Sequence, residues 1–145
     1  MLSKIYLLVR TQRFFTFLTW PTRILLTLAF LPSGLKKVIG ARFTLMPVDT
    51  NVGFFFEALY RTGFYWNFLG LMQLTAAALL LVPRTAYFGA LLYLPIVANI
   101  CVIVTAMQFE GTPVVAALML LANIYLLVWD YPKTRRLVAV IFQKT

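Results

Sequence analysis

Polar and apolar positions along this chain show neither the alternation of a half-buried strand nor the single stripe of a surface helix. Instead, long apolar runs end at charges. Residues 64–82 hold nineteen positions without a formal charge, and beyond Arg84 a second uncharged run covers residues 85–109. At 1.5 Å per residue these make helices of about 28 and 37 Å, against a hydrocarbon core of about 30 Å. The pattern predicts spanning helices over residues 64–82 and 86–109, the second with Pro95 inside, and a further one over 113–130. Thr112 suits the N-cap of this last helix and Pro113 its first turn, while Pro132 ends it.

The first span is shorter on its face. Only residues 24–35 are uncharged between Arg23 and Lys36, about 18 Å of helix. Extending it over residues 21–39, with Pro21 in its first turn, reaches the needed length if Arg23 and at least one of Lys36 and Lys37 snorkel to the interfaces. Pro32 removes a helical partner from Leu28, so a kink is expected. Residues 1–20 carry Lys4, Arg10 and Arg13 among apolar positions and read as a basic interfacial segment; the apolar stretch 5–9 is too short for a signal-peptide core. Between the first two spans, Asp49-Thr50-Asn51 offers an N-cap to a short aromatic helix at the interface, and Gly63 offers its stop.

These readings define an all-α membrane protein. It has a bundle of four transmembrane helices over residues 21–132, an N-terminal interfacial segment, a short interfacial helix between the first two spans and a basic tail over 133–145. Four crossings put both ends on one side, with nine basic residues there against Lys36, Lys37, Arg42 and Arg61 opposite. By the positive-inside rule both ends are cytoplasmic.

Composition agrees, at 62% hydrophobic and 12% charged residues, where a soluble domain has about 45–50% and 25%. The net charge of +9 sits mainly at the ends of apolar runs, where it meets lipid headgroups; a nucleic-acid partner is not expected. With one cysteine and no histidine, the chain lacks the usual means of binding haem or a metal, or of relaying thiol oxidation. No metal site and no intrinsic cofactor are expected.

Several polar side chains fall inside the spans. Asn67, Gln73, Asn99 and Asn123 serve either as interhelical packing bonds or, with Asn67, Gly70, Gln73 and Ala77 on one stripe, as the lining of a pocket for a quinone or lipid head. Lys36 and Lys37 point about 100° apart on a helix, so both cannot face water or the bundle equally well, and one is expected to turn inward. A structural ion pair with Asp49, Glu57 or Glu110, or simple snorkelling, is one reading, and a ligand or substrate role is the alternative. Asp130, at a helix C-terminus, is expected to pair with Arg84 or Arg23. Trp20, Trp66, Trp129, Tyr65 and Tyr131 fall at span ends, as an aromatic belt would.

The string Phe30-Leu31-Pro32-Ser33-Gly34-Leu35-Lys36-Lys37 resembles the end of the first helix in the DoxX family, small four-helix membrane proteins with a Ser-Gly-x-x-Lys pattern there. Ser33, Gly34 and Lys37 are the matching positions. Leu69 to Leu74 and Leu80 to Thr85 resemble that family's second helix and basic turn, with Gln73 standing where many relatives carry glutamate. The resemblance implies a bacterial inner-membrane subunit or accessory protein of an oxidoreductase system, with quinone as the implied ligand near Lys37, Gln73 and Asn99. A proton-relay role at position 73 is not expected, because an amide does not titrate. A lipid- or solute-binding protein is the alternative, as is a homo-oligomeric scaffold packed through Gly70, Ala76, Ala77, Ala78, Gly89 and Ala90.

Overall fold

Each apolar run is a helix, as a chain in hydrocarbon must be if its backbone N–H and C=O groups are to find partners. The structure, a computed structural model, describes residues 13–142. Its helices are α1 (Arg13–Val38), α2 (Asn51–Arg61), α3 (Phe64–Leu81), α4 (Ala86–Ala106), α5 (Thr112–Trp129) and α6 (Tyr131–Phe142), with no strand among the described residues. By length and composition α3, α4 and α5 are able to cross a membrane, so the protein is a multi-pass membrane protein. Leu71, Phe88, Val102 and Leu118 on these helices are each more than half exposed, the surface expected where the surrounding medium is lipid. α1 is the longest helix at 26 residues, and it carries Pro21, Arg23, Pro32, Lys36 and Lys37 along its length.

α1 lies along α3, α3 along α4 and α4 along α5, and α5 touches α1 to close the bundle. Leu26 and Phe30 of α1, Ala76, Ala77 and Leu80 of α3, Tyr93 and Val97 of α4 and Leu126 of α5 form its core. The Phe30 and Tyr93 rings stack at 3.8 Å between centroids. Three polar side chains tie neighbouring helices to backbone carbonyls: Thr27 Oγ1 donates to Ala77 O, Tyr93 Oη to Leu26 O and Asn123 Nδ2 to Ala90 O, each at 3.1 Å. Such bonds contribute about 0.6 kcal/mol each inside a bilayer.

The structure departs from the sequence reading at several places. Residues 13–20 are helical and continuous with α1, so Pro21 lies inside a helix instead of opening one. The helix continues past it although an interior proline removes the N–H bond to the residue four before it and crowds that carbonyl, at a cost of about 3 kcal/mol. Expectations for residues 1–12 and 143–145 fall outside the described residues. Thr112 is the first residue of α5, and Gly111, at φ 73°, is its cap. α4 stops at Ala106 because the backbone turns over at Gln108, φ 52°. Asp130 pairs with Lys133 at 3.4 Å, one turn away on its own strand of chain, in place of Arg84 or Arg23. The basic tail is helical through Phe142, with Leu137, Val138 and Ile141 exposed on it.

Candidate functional site

Which of the two lysines turns inward is settled by how α1 ends. Gly40, at φ 69°, lets the chain reverse, so that its N–H donates to Lys37 O at 3.1 Å and the Ala41 N–H donates to Lys36 O at 2.8 Å. This is a Schellman ending, and it satisfies the last carbonyls of the helix. The first turn of α3 is then stitched onto it. Trp66 Nε1 donates to Ala41 O and Asn67 Nδ2 to Val38 O, both at 3.0 Å. Below this join the α1 and α3 backbones nearly touch: a Cβ on Gly70 would lie 2.6 Å from Lys37 Cβ and 2.7 Å from Gly34 O. In that register Lys37 is 7% exposed and Lys36 faces outward.

The Lys37 ammonium donates to Ser33 Oγ and, at 3.4 Å, to Ser33 O. Ser33 Oγ in turn donates to Gln73 Oε1 at 3.3 Å. Two aromatic faces flank the charge, Phe43 at 4.9 Å and Trp66 at 5.0 Å from Nζ to the ring centroid, a range in which a ring quadrupole attracts a cation. No carboxylate among the described residues pairs with it. Glu57 is engaged by Arg42 at 2.8 Å and Arg61 at 2.9 Å, while Asp49 and Glu110 are exposed. The hydrogen bond from Arg42, then that from Arg61, hold the Glu57 carboxyl at about 2, well below its ordinary value.

Lys37 and Gln73 open on a cavity of about 400 Å³, within the size range of small-molecule sites. α2 covers one side with Phe55, Phe56 and Leu59, and α4 forms the opposite wall from Pro95 to Val104, Asn99 included. The site thus joins a polar pole, built by α1 and α3, to apolar walls. Of the residues singled out from the sequence, Ser33, Gly34, Lys37, Gln73 and Asn99 come together here. Lys36 points away, Glu57 is held on α2 by two arginines, Asn67 is used in the α1–α3 join, and Asn123 sits elsewhere in the bundle against Ala90.

Sequence reasoning missed the two rings that flank the lysine. Trp66, assigned to an interfacial belt, is fully buried, because its indole N–H is consumed by the Ala41 carbonyl at the helix join. Its neighbour Tyr65 is half exposed and also lines the cavity, and Trp20 is half exposed. The aromatic density of residues 54–56 was a usable signal for the covering helix, though not for what it covers.

No family model matches the chain, and no solved structure does. Over 87 residues it is 33% identical to the uncharacterized protein YwoB of Bacillus subtilis (strain 168), an alignment covering 56% of each chain. The chain thus spans about half the length of the curated relative it matches.

Proposed function

We propose that this chain is a four-span membrane protein, α1 supplying the fourth span, that binds a bilayer-soluble amphiphile whose head accepts hydrogen bonds from Lys37 and Gln73. The observation that carries the reading is a buried lysine without a carboxylate partner among the described residues, opening on an otherwise largely apolar cavity. Ionisable groups at membrane depth are costly, and they persist where a ligand or pathway uses them. The 26 residues of α1 make about 39 Å of helix, enough to cross with Arg23 and Lys36 reaching the interfaces. Its long contact with α3 gives it the same depth as a helix already able to span.

Excess basic residues at the end bearing Arg23, Arg84 and α6 favour a cytoplasmic position for that end. The cavity then lies toward the outer leaflet of a bacterial inner membrane. The DoxX resemblance supports the finer reading, a membrane subunit or accessory protein of a redox enzyme with quinone as the amphiphile. With no histidine and one cysteine in the sequence, a partner would supply the electron carriers.

Gentle extraction from native membranes tests both levels, followed by identification of every protein and lipid-soluble molecule retained. One amphiphile per chain, released by Lys37→Met, is the expected result. A protein that retains no amphiphile and binds none when a quinone or a fatty acid is added back would overturn the reading.

A further inference from the structure

The direction of each hydrogen bond at the polar pole narrows the ligand further. Lys37 has only donors to give. Its proton goes to Ser33 Oγ, so the Ser33 hydroxyl spends its own proton on Gln73 Oε1. The carbonyl of Gln73 is thereby turned toward serine, and its NH₂ is the end left for the cavity that Gln73 lines. What the pole presents to a ligand is therefore a pair of donors. Asn99, the other amide on the wall, is at its exposed edge.

Charge points the same way. Arg42 and Arg61 share the single carboxylate of Glu57, and Lys133 pairs with Asp130. Lys37 is more deeply buried than any of these and has only a hydroxyl, a carbonyl and two ring faces around it. A neutral head would leave that charge uncompensated in a poorly solvated place, whereas an anionic head removes the cost and gains charge-assisted bonds. The walls on α2 and α4 are apolar over most of their extent, which suits one chain running away from one head.

On the reading that the cavity holds an amphiphile, we infer that its head is a carboxylate and that the ligand class is a long-chain alkyl carboxylate, one oxygen on Lys37 Nζ and the other on Gln73 Nε2. This departs from the quinone that the DoxX resemblance implies and keeps only the amphiphile site: neutral quinones and fatty alcohols are weaker ligands of the same cavity.

The test uses the full chain in nanodiscs of zwitterionic lipid, with radiolabelled palmitate, hexadecanol and a short-tailed quinone as the three probes. Palmitate binds saturably and at least about 10-fold more tightly than hexadecanol, the difference that one charge-assisted hydrogen bond makes. Gln73→Glu replaces the NH₂ donor by a carboxylate that itself compensates Lys37 and repels an anionic head, so it abolishes palmitate binding without lowering thermal stability. Lys37→Arg keeps measurable binding and Lys37→Met does not. Equal binding of palmitate and hexadecanol, or unchanged palmitate binding in Gln73→Glu, overturns the inference. Saturable quinone binding with no palmitate binding overturns it too, while leaving the amphiphile site standing. If none of the three probes binds, the amphiphile reading falls and the inference with it.

Discussion

Replacing Gly70 by alanine tests the contact on which the polar pole depends. The new methyl would stand 2.6 Å from Lys37 Cβ, 2.7 Å from Gly34 O and 2.8 Å from Val38 N. Carbon atoms settle at about 3.5–4.0 Å, and two of the three obstacles are backbone, so no side-chain rotation relieves the clash. α1 must move off α3 by about 1 Å, at an overpacking cost of about 1–3 kcal/mol. The same displacement stretches the 3.3 Å bond from Ser33 to Gln73 to about 4.3 Å, outside hydrogen-bond range. Stability and amphiphile binding therefore fall together. Gly34→Ala is milder, since its methyl meets chiefly the Leu74 side chain at 2.8 Å, which is able to shift. Gly89→Ala is the control: its methyl meets α3 backbone, Leu80 N at 2.8 Å and Leu79 C at 2.9 Å, at another crossing. It should lower stability about as much while sparing the polar pole. Equilibrium unfolding in bicelles with parallel binding assays separates the three, and a Gly70→Ala protein with wild-type stability, or binding losses equal in Gly70→Ala and Gly89→Ala, would refute the argument.

Other outcomes follow from local geometry. The Glu57 carboxyl, held at about 2 against an ordinary 4.5, stabilises the α2 region fully above that ordinary value and loses its contribution as pH falls toward 2. The protection of α2 amides relative to their intrinsic exchange rates should fall across that window in the native chain and show no such step in Glu57→Gln. Gln108 holds a left-handed conformation at the end of α4, its N–H on Thr105 O and the Phe109 N–H on Val104 O, so Gln108→Gly should raise unfolding stability by about 1 kcal/mol; a loss would contradict this account of the turn. Lys37→Met removes a buried charge at nearly constant volume and should leave stability unchanged or raise it by about 1 kcal/mol, even as ligand binding disappears. Marked unfolding of that variant would mark the lysine as structural.

The helices were legible because charges and prolines punctuate apolar runs, and lipid leaves a backbone few options. Their ends were less so: Thr112 looked like a cap, yet the glycine before it reverses the chain more cheaply. Lys37 as the buried member of its pair was not decidable from two adjacent lysines; it follows from the Schellman turn at Gly40 and from the Gly34–Gly70 contact, both properties of chain packing. Gln73 and Asn99 stood out as amides in apolar runs. Trp66 did not, since a tryptophan at a span end has the same sequence signature whether it meets headgroups or a lysine. Glu57 was a partner for a lysine by side and sign alone, and two arginines closer in space claimed it.

The close approach of Gly34 to Gly70 also acts as a fulcrum. If α1 spans as proposed, it would answer a thinner or thicker bilayer by tilting, and a tilt of α1 on α3 would turn about the point where the two backbones touch. A 10° change displaces atoms one turn from that point by only about 1 Å, but those some 30 Å away, near the start of α1, by about 5 Å. Ser33 adjoins one glycine, and Gln73 lies within a turn of the other. A tilt about that point would leave the lysine, serine and glutamine close to their present spacing while the start of α1 moves most, so the chemistry of this pole would depend little on the thickness of a surrounding membrane.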